Sequence, residues 1–154
     1  AVSKDLHFEE RKPQGSSTFS GILHAIQNNL NINILYRKFH KKEASMRQID
    51  PYLLKEFLFR WYVIGKDHKD GHIKSFGLDR IEGIEYTKVH FDNKDKSTIH
   101  KRYKDCYGIV SPNTEKPSNI IISCTPTQGR YIEALPLHHS QKTIKETKKR
   151  FSLG

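Results

Sequence analysis

The chain has 154 residues, enough for one domain of ordinary size and an accessory unit. Lys and Arg number 27 against 17 Asp and Glu, a formal net charge of +10 that favours polyanionic partners, because each phosphate neutralised by a basic side chain releases condensed counterions. No apolar run approaches the ~18–20 residues needed to cross a bilayer, and Cys106 and Cys124 have the spacing of neither a zinc knuckle nor a disulfide framework.

Residues 1–15 are of mixed charge with little periodicity and are expected to form a tail or an edge segment. Beyond the capping candidates Ser16, Ser17 and Thr18, apolar residues fall at Phe19, Ile22, Leu23, Ile26 and Leu30, the spacing of a helix of about three turns with one buried face. Asn28 and Asn29 end it. From Ile32 the period becomes two, with Ile32, Ile34 and Tyr36 on one side and Asn33, Leu35 and Arg37 on the other, which predicts a first strand. After a polar turn from Lys41 to Ser45, further strands are predicted at Arg47–Lys55, Arg60–Gly65, His72–Leu78 and Gly83–Val89, with Asp67–Gly71 as the turn between the third and the fourth. Pro51, inside the second, marks a bend or a sheet edge because proline brings no N–H to a ladder. A helix followed by five short strands predicts a mainly β fold with flanking helices, built as a small, strongly bent antiparallel sheet or barrel.

Residues 92–117 read as a linker. A basic cluster (Lys94, Lys96, Lys101, Arg102, Lys104) on a short helix or an extended stretch is followed by Gly108 and by Pro112 to Pro117. In residues 118–154 the run Asn119–Cys124 predicts a buried strand, Pro126 opens a helix over Thr127–Ala134 that Pro136 ends, and Lys142–Arg150 is a polar, basic tail. One strand and one helix cannot bury themselves, so this α+β extension is expected to be partial. The expected organisation is therefore a tail or edge segment at 1–15, a domain at 16–91, a linker at 92–117 and a truncated unit at 118–154. Ala1 and Gly154 read as the boundaries of a piece of a longer chain. Reduced thiols and the lack of a signal-peptide core in the sequence point to a cytoplasmic protein.

Four separated motifs occur in order: Ile34-Leu35-Tyr36-Arg37, Ile49-Asp50-Pro51-Tyr52-Leu53-Leu54, Arg60-Trp61-Tyr62-Val63-Ile64-Gly65, and Lys74-Ser75-Phe76-Gly77-Leu78-Asp79-Arg80-Ile81. Together they resemble the WYL domain. Val63 stands where the family usually has Leu, and Lys74 where Arg is common. The resemblance runs back through the preceding helix and on to Ile109, while Tyr107-Gly108-Ile109 and Ile120–Ser140 look like the start of the C-terminal extension that commonly follows. It implies a five-stranded Sm-like or SH3-like barrel preceded by a helix, with Pro51, Trp61, Val63, Asp79 and Ile81 as structural positions. It also implies the effector-sensing regulatory domain of a bacterial transcription regulator, a homodimer whose contact with DNA is made by an N-terminal helix-turn-helix that this chain lacks.

The residues themselves suggest where an effector would sit. Side chains alternate along a strand, so Trp61 and Val63 share one side while Arg60, Tyr62 and Ile64 share the other. With Trp61 and Val63 in the core, Tyr62 is expected to project beside Arg60, where a phenol next to a guanidinium can stack on a base and hold its phosphate. Tyr36, Arg37, Lys74, Phe76 and Arg80 are expected to complete a basic pocket with an aromatic floor, suited to a nucleotide or single-stranded nucleic acid. Plainer readings stand beside this one: Trp61 and Tyr36 as core residues, Asp79 and Arg80 as a structural pair, and Arg37 and Lys74 as solvated strand charges. Phe57, Leu58 and Phe59 occupy a hairpin tip where polar residues are the rule, which predicts an interface unless another register buries them.

Catalysis is not indicated. His138 and His139 lie near Ser140, with Cys124 upstream, but no third orienting group accompanies them, and the carboxylates are not paired. The nine histidines require no metal, and no cofactor is expected. Two further readings remain open: an Sm-like module that binds nucleic acid directly, and a dimerisation scaffold without a ligand.

Overall fold

The computed structural model describes residues 16–111, 116–146 and 150–154, so the tail or edge segment expected at 1–15, most of the Pro112–Pro117 stretch and part of the Lys142–Arg150 tail lie outside the described residues. The chain divides into two units, 1–111 and 112–154. No helix among the described residues is long and apolar enough to cross a membrane.

In the first unit the three-and-four spacing of Phe19, Ile22 and Ile26 winds residues Ser16–Gln27 into helix α1, which buries Ile22, Ala25 and Ile26. Five strands follow, each within a few residues of its predicted place: β1 (Leu30–Tyr36), β2 (Ser45–Phe57), β3 (Arg60–Asp67), β4 (Ile73–Gly77) and β5 (Ile81–His90), with a 3₁₀ turn at Leu78–Arg80 between the last two. They pair antiparallel in the order β4-β3-β2-β1-β5. The mainly β architecture with a five-stranded antiparallel sheet is thereby established. β4 and β5 are its edges, and no ladder among the described residues joins them into the closed barrel that was expected.

Strand β2 belongs to two ladders. Its first part, Ser45–Ile49, pairs with β1, and its length from Ile49 to Phe57 pairs with β3, with a register shift between Pro51 and Leu53. Pro51 lies past the end of the β1 ladder, where one side of the strand needs no donor. Gly65 faces it across β3, and a Cβ there would sit 2.6 Å from the carbonyl oxygen of Asp50, so only glycine lets the two backbones approach this closely.

The alternation read from the motif around Trp61 sorts the sheet into two cores. On one face Ile32, Ile34, Tyr36, Ile49, Val63, Phe76 and Leu78 pack with α1, and half-buried Trp61 meets Phe19 edge to face at 4.8 Å. On the other face Tyr52, Tyr62 and Ile64 pack with Ile99 and Tyr103. These last two stand four residues apart on helix α2 (Lys96–Lys104), within the stretch read from its composition as the start of a linker. Residues 92–111 are instead part of the first unit: the basic residues that dominate the run lie mostly on the outer side of α2, while burial of an isoleucine such as Ile99 contributes about 1.5–3 kcal/mol. The Lys55 ammonium finishes the helix by donating to the carbonyls of Tyr103 (2.8 Å) and Cys106 (2.7 Å).

Asp67, at the end of β3, has a side chain with no exposed surface, and it is the electrostatic tie of the hairpins. Its carboxylate accepts from Arg47 on β2 (3.1 Å), from Lys74 on β4 (2.7 Å) and from the backbone N–H of Lys69 (3.0 Å). Burial alone would raise its pKa, but these donors and the charges of Lys74 and Arg47 hold it below the usual carboxylate range.

In the second unit Thr125 caps helix α3 (Pro126–Ala134) by accepting from the N–H of Gln128, with Pro126 at the first helical position. Three short strands, β6 (Ile122–Cys124), β7 (Thr143–Glu146) and β8 (Phe151–Leu153), form a second sheet in the order β6-β8-β7. The predicted burial of Asn119–Cys124 does not hold: Ile120 and Ile121 are exposed and β6 is an edge, because β8 takes the central place and buries Phe151 and Leu153. Phe151 packs where a Cβ on Gly129 would be, so strand and helix meet through a missing side chain. The stretch expected to be a tail thus supplies β7, and this unit holds more than one strand and one helix.

Two measurements check the ties of the first unit. Gly65→Ala should destabilise the protein by about 1–3 kcal/mol in urea unfolding, since the added methyl meets backbone and not a movable side chain. Asp67→Asn should cost about 3 kcal/mol at neutral pH by leaving Arg47 and Lys74 without their shared negative charge. Because the folded-state pKa of Asp67 is depressed, its contribution is fully present above the unfolded value of about 4 and is lost as the pH falls through the folded value. The substituted protein should therefore show a shallower loss of stability below about pH 4 than the parent.

Candidate ligand cleft

A cleft of about 420 Å³ opens beside the edge strand β4, within the range of roughly 300–1,000 Å³ common for small-molecule sites. Its walls come from four places: Tyr36 at the end of β1 with Lys38, Phe39 and His40 of the following turn; Ile73 to Phe76 of β4; Arg80 after the 3₁₀ turn; and Tyr103 with Ile109, Val110 and Ser111 beyond α2.

Tyr36 organises the cationic wall. Its ring is buried and meets Phe76 edge to face at 5.1 Å, and its hydroxyl accepts from the N–H of Gly77 at 3.3 Å. Burial pushes the Tyr36 phenol pKa up, the Arg80 charge acting against it, so the hydroxyl is neutral at physiological pH. The Arg80 guanidinium carbon lies 5.3 Å from the centre of the Tyr36 ring and 4.8 Å from that of Phe39, cation–π distances to both. Gly77 makes this possible twice, by giving its N–H to Tyr36 and by having no Cβ, which would fall 2.5 Å from Asp79 Oδ1 and 2.8 Å from Arg80 Nη2.

The electrostatics of the lining are one-sided. Lys38, His40, Lys74 and Arg80 are basic, and no carboxylate is among the lining residues. The Lys74 ammonium is already matched, bonded to Asp67 at 2.7 Å and to Asp70 at 2.5 Å. Arg80 is matched less well: its Nε is buried without a hydrogen-bond partner, with the Asp79 carboxylate 3.8 Å away, too far to accept from it. A buried donor without an acceptor costs about 1–3 kcal/mol.

Four residues expected to form a basic, aromatic pocket, Tyr36, Lys74, Phe76 and Arg80, line this cleft. Three others do not. Arg37 points along the opposite side of β1 into a two-pronged ion pair with Glu82, and also donates to the carbonyl of Lys42 at 2.7 Å. Arg60 is exposed and reaches Asp79 at 3.9 Å. Tyr62 does not project beside Arg60: it is 8% exposed beneath Ile99 and Tyr103, because α2 covers the face on which it was expected to meet ligand. Val63 is core, Ile81 packs against the α1-side cluster, and Asp79 sits between Arg60 and Arg80. At the hairpin tip Phe57 is partly covered by Tyr107, edge to face at 5.5 Å, while Leu58 and Phe59 are 69% and 78% exposed, so no alternative register buries them. Both hold positive φ, +49° and +63°, the conformation of a tight two-residue hairpin turn that asparagine and glycine adopt with less strain.

Sequence reasoning missed Lys38, Phe39, His40, Tyr103 and Ile109–Ser111. Phe39 carried a signal, a lone aromatic flanked by basic residues inside a polar turn; Tyr103 carried another, its spacing of four from Ile99. In the second unit His138 Nδ1 lies 2.8 Å from Ser140 Oγ, a contact between residues two apart in one turn.

Comparison with known proteins matches this geometry to a family. The chain aligns in three dimensions with the solved structure of proteasome accessory factor B/C (PafBC) of Arthrobacter aurescens, with a TM-score of 0.51 at 15% sequence identity, over 94% of this chain and 22% of that one. The likeness is one of fold, and the chain spans about a fifth of that protein's length. No curated protein sequence matches. The family profile of the WYL domain, however, matches residues 17–86, from the first turns of α1 to Tyr86 on β5, and includes all four motifs that line or support the cleft. Residues 17–86 of this chain are a WYL domain.

Proposed function

We propose that this chain is the effector-sensing part of a cytoplasmic transcription regulator, without catalytic activity of its own. The cleft beside β4 binds an anionic, base-bearing ligand, either a nucleotide or a stretch of single-stranded nucleic acid, and its occupancy controls an attached DNA-binding domain. The observation that carries this reading is the Arg80 guanidinium, held between the rings of Tyr36 and Phe39 with its Nε lacking an acceptor, in a cleft lined by basic residues and no carboxylate. A phosphate oxygen would be drawn to the Arg80 guanidinium, with Lys38 as a further cation, and the exposed face of Phe39 is available to a base. Membership of the WYL family supports the regulatory role, and curling of the five-stranded sheet toward an Sm-like barrel would suit it. Control of a second domain requires only that the ligand bind two states of the protein with different affinity.

The ligand-binding surface is expected to work within a homodimer. The exposed tip at Leu58 and Phe59 supports this, because bulky residues in the left-handed region carry a conformational cost of order 1–3 kcal/mol each that burial in a second subunit would offset.

Titration calorimetry tests the cleft. Arg80→Ala should weaken nucleotide binding about 10- to 100-fold through loss of a charge-assisted contact, with Arg80→Lys intermediate. Arg37→Ala should leave affinity unchanged, its guanidinium being held by Glu82. Saturation by a mono- or dinucleotide supports a small-molecule sensor, whereas a requirement for eight or more bases with steep salt dependence supports direct nucleic-acid binding; affinity that survives Arg80→Ala in a folded protein would sink the cleft as the site. For the interface, Leu58→Ser with Phe59→Asn should shift sedimentation from dimer to monomer while the circular dichroism spectrum stays that of the folded parent.

A further inference from the structure

One wall of the cleft lies outside the region matched to the WYL family, and it is the segment from which the chain leaves the first unit. After α2 the backbone is held by a series of contacts: the Lys55 ammonium binds the carbonyls of Tyr103 and Cys106, and the Tyr107 ring meets that of Phe57. Gly108 then turns the chain at φ +90° against the Phe57 ring, and the Ser75 hydroxyl of β4 donates to the carbonyl of Ile109. Beyond Ile109 this anchoring thins among the described residues. Val110 keeps one weak contact, the Cys106 thiol donating to its carbonyl at 3.0 Å, and its side chain is exposed. Ile109, Val110 and Ser111 nonetheless line the cleft, and Ser111 is the last residue of the unit before residue 112 begins the next.

Resting on the reading of the cleft as an anion site, we infer that Ile109–Ser111 is a ligand-contacting strap, a further binding element by which occupancy restrains the chain's exit toward residues 116–154. A ligand seated between Arg80 and the β4 edge meets this wall on its far side, and contact removes freedom from Val110 and Ser111, which follow the last carbonyl held by β4. Ser75 is the joint: it lines the cleft and holds the last anchored carbonyl, so the ligand-facing edge of the sheet and the exit segment move together. Communication with any following domain then needs no rearrangement of the sheet, only a change in how firmly three residues are held.

Amide hydrogen exchange, read with AMP and with single-stranded (dT)8 as probes, tests the strap in the full chain. In the parent protein either bound probe should slow exchange at residues 109–111 about tenfold or more, whereas Arg37→Ala behaves as the parent. Ser75→Ala should bind the probe about 3- to 10-fold more weakly, in keeping with loss of one neutral hydrogen bond, and should lose the slowing at residues 109–111 at saturation. Val110→Gly, which loosens the strap without touching β4, should do the same, and covers the case in which Ser75→Ala does not fold. Binding that leaves exchange at 109–111 unchanged overturns the strap and spares the cleft. Failure of the parent protein to bind either probe overturns both.

Discussion

The cleft depends on one buried ring. Tyr36 closes β1, and three contacts are made by it at once: an edge-to-face packing with Phe76, the hydroxyl under the Gly77 N–H, and a face beneath the guanidinium of Arg80. The first two contacts fix the ring from inside the α1-side core, so the third is made with a rigid partner. A long, flexible cationic side chain is thereby held in one place before any ligand arrives, and the entropy of ordering it is already accounted for in folding. The neutral hydroxyl matters in the same way, since an ionised phenolate would compete with any incoming anion for Arg80.

A chain with a formal charge of +10 does not owe its candidate site to that excess. Arg47 and Lys74 are gathered on Asp67, Arg37 on Glu82, and Lys55 on two backbone carbonyls. These cations are structural parts. What distinguishes Arg80 is the company of two aromatic faces and a carboxylate that stays beyond hydrogen-bond reach. Net charge says that anions are attracted at a distance; the pairing pattern says where one would be held.

Much of the fold was legible in the residues. Period-two alternation at Ile32, Ile34 and Tyr36 placed β1 and named its buried side, and Pro51, read as a bend or a sheet edge, stands where the register of β2 shifts. What escaped was information that no local window holds. Tyr62 alternates as expected, yet whether its side of β3 meets water depended on α2, whose two apolar residues are outnumbered by lysines and hidden in a basic run. The cleft was half legible for the same reason: Tyr36, Lys74, Phe76 and Arg80 lie in motifs, while Phe39 and Ile109–Ser111 enter only through the path the chain takes after a strand or a helix ends. In the second unit Phe151 and Leu153, which follow the charged stretch and were given no element, form the middle of a sheet because three residues suffice for a strand when both neighbours supply partners.

The long strand β2 carries one more implication. Its first part is hydrogen-bonded to β1 and its remainder to β3, with a single bend where Pro51 faces Gly65. Neither ladder can open without disturbing a backbone that the other shares, so the hairpin bearing the Trp61 motif and the strand that ends at Tyr36 should melt together and not in stages. A domain wired in this way tolerates change at its loops and at the exposed faces of its edges, but a fault at that one crossing would be felt by every strand at once.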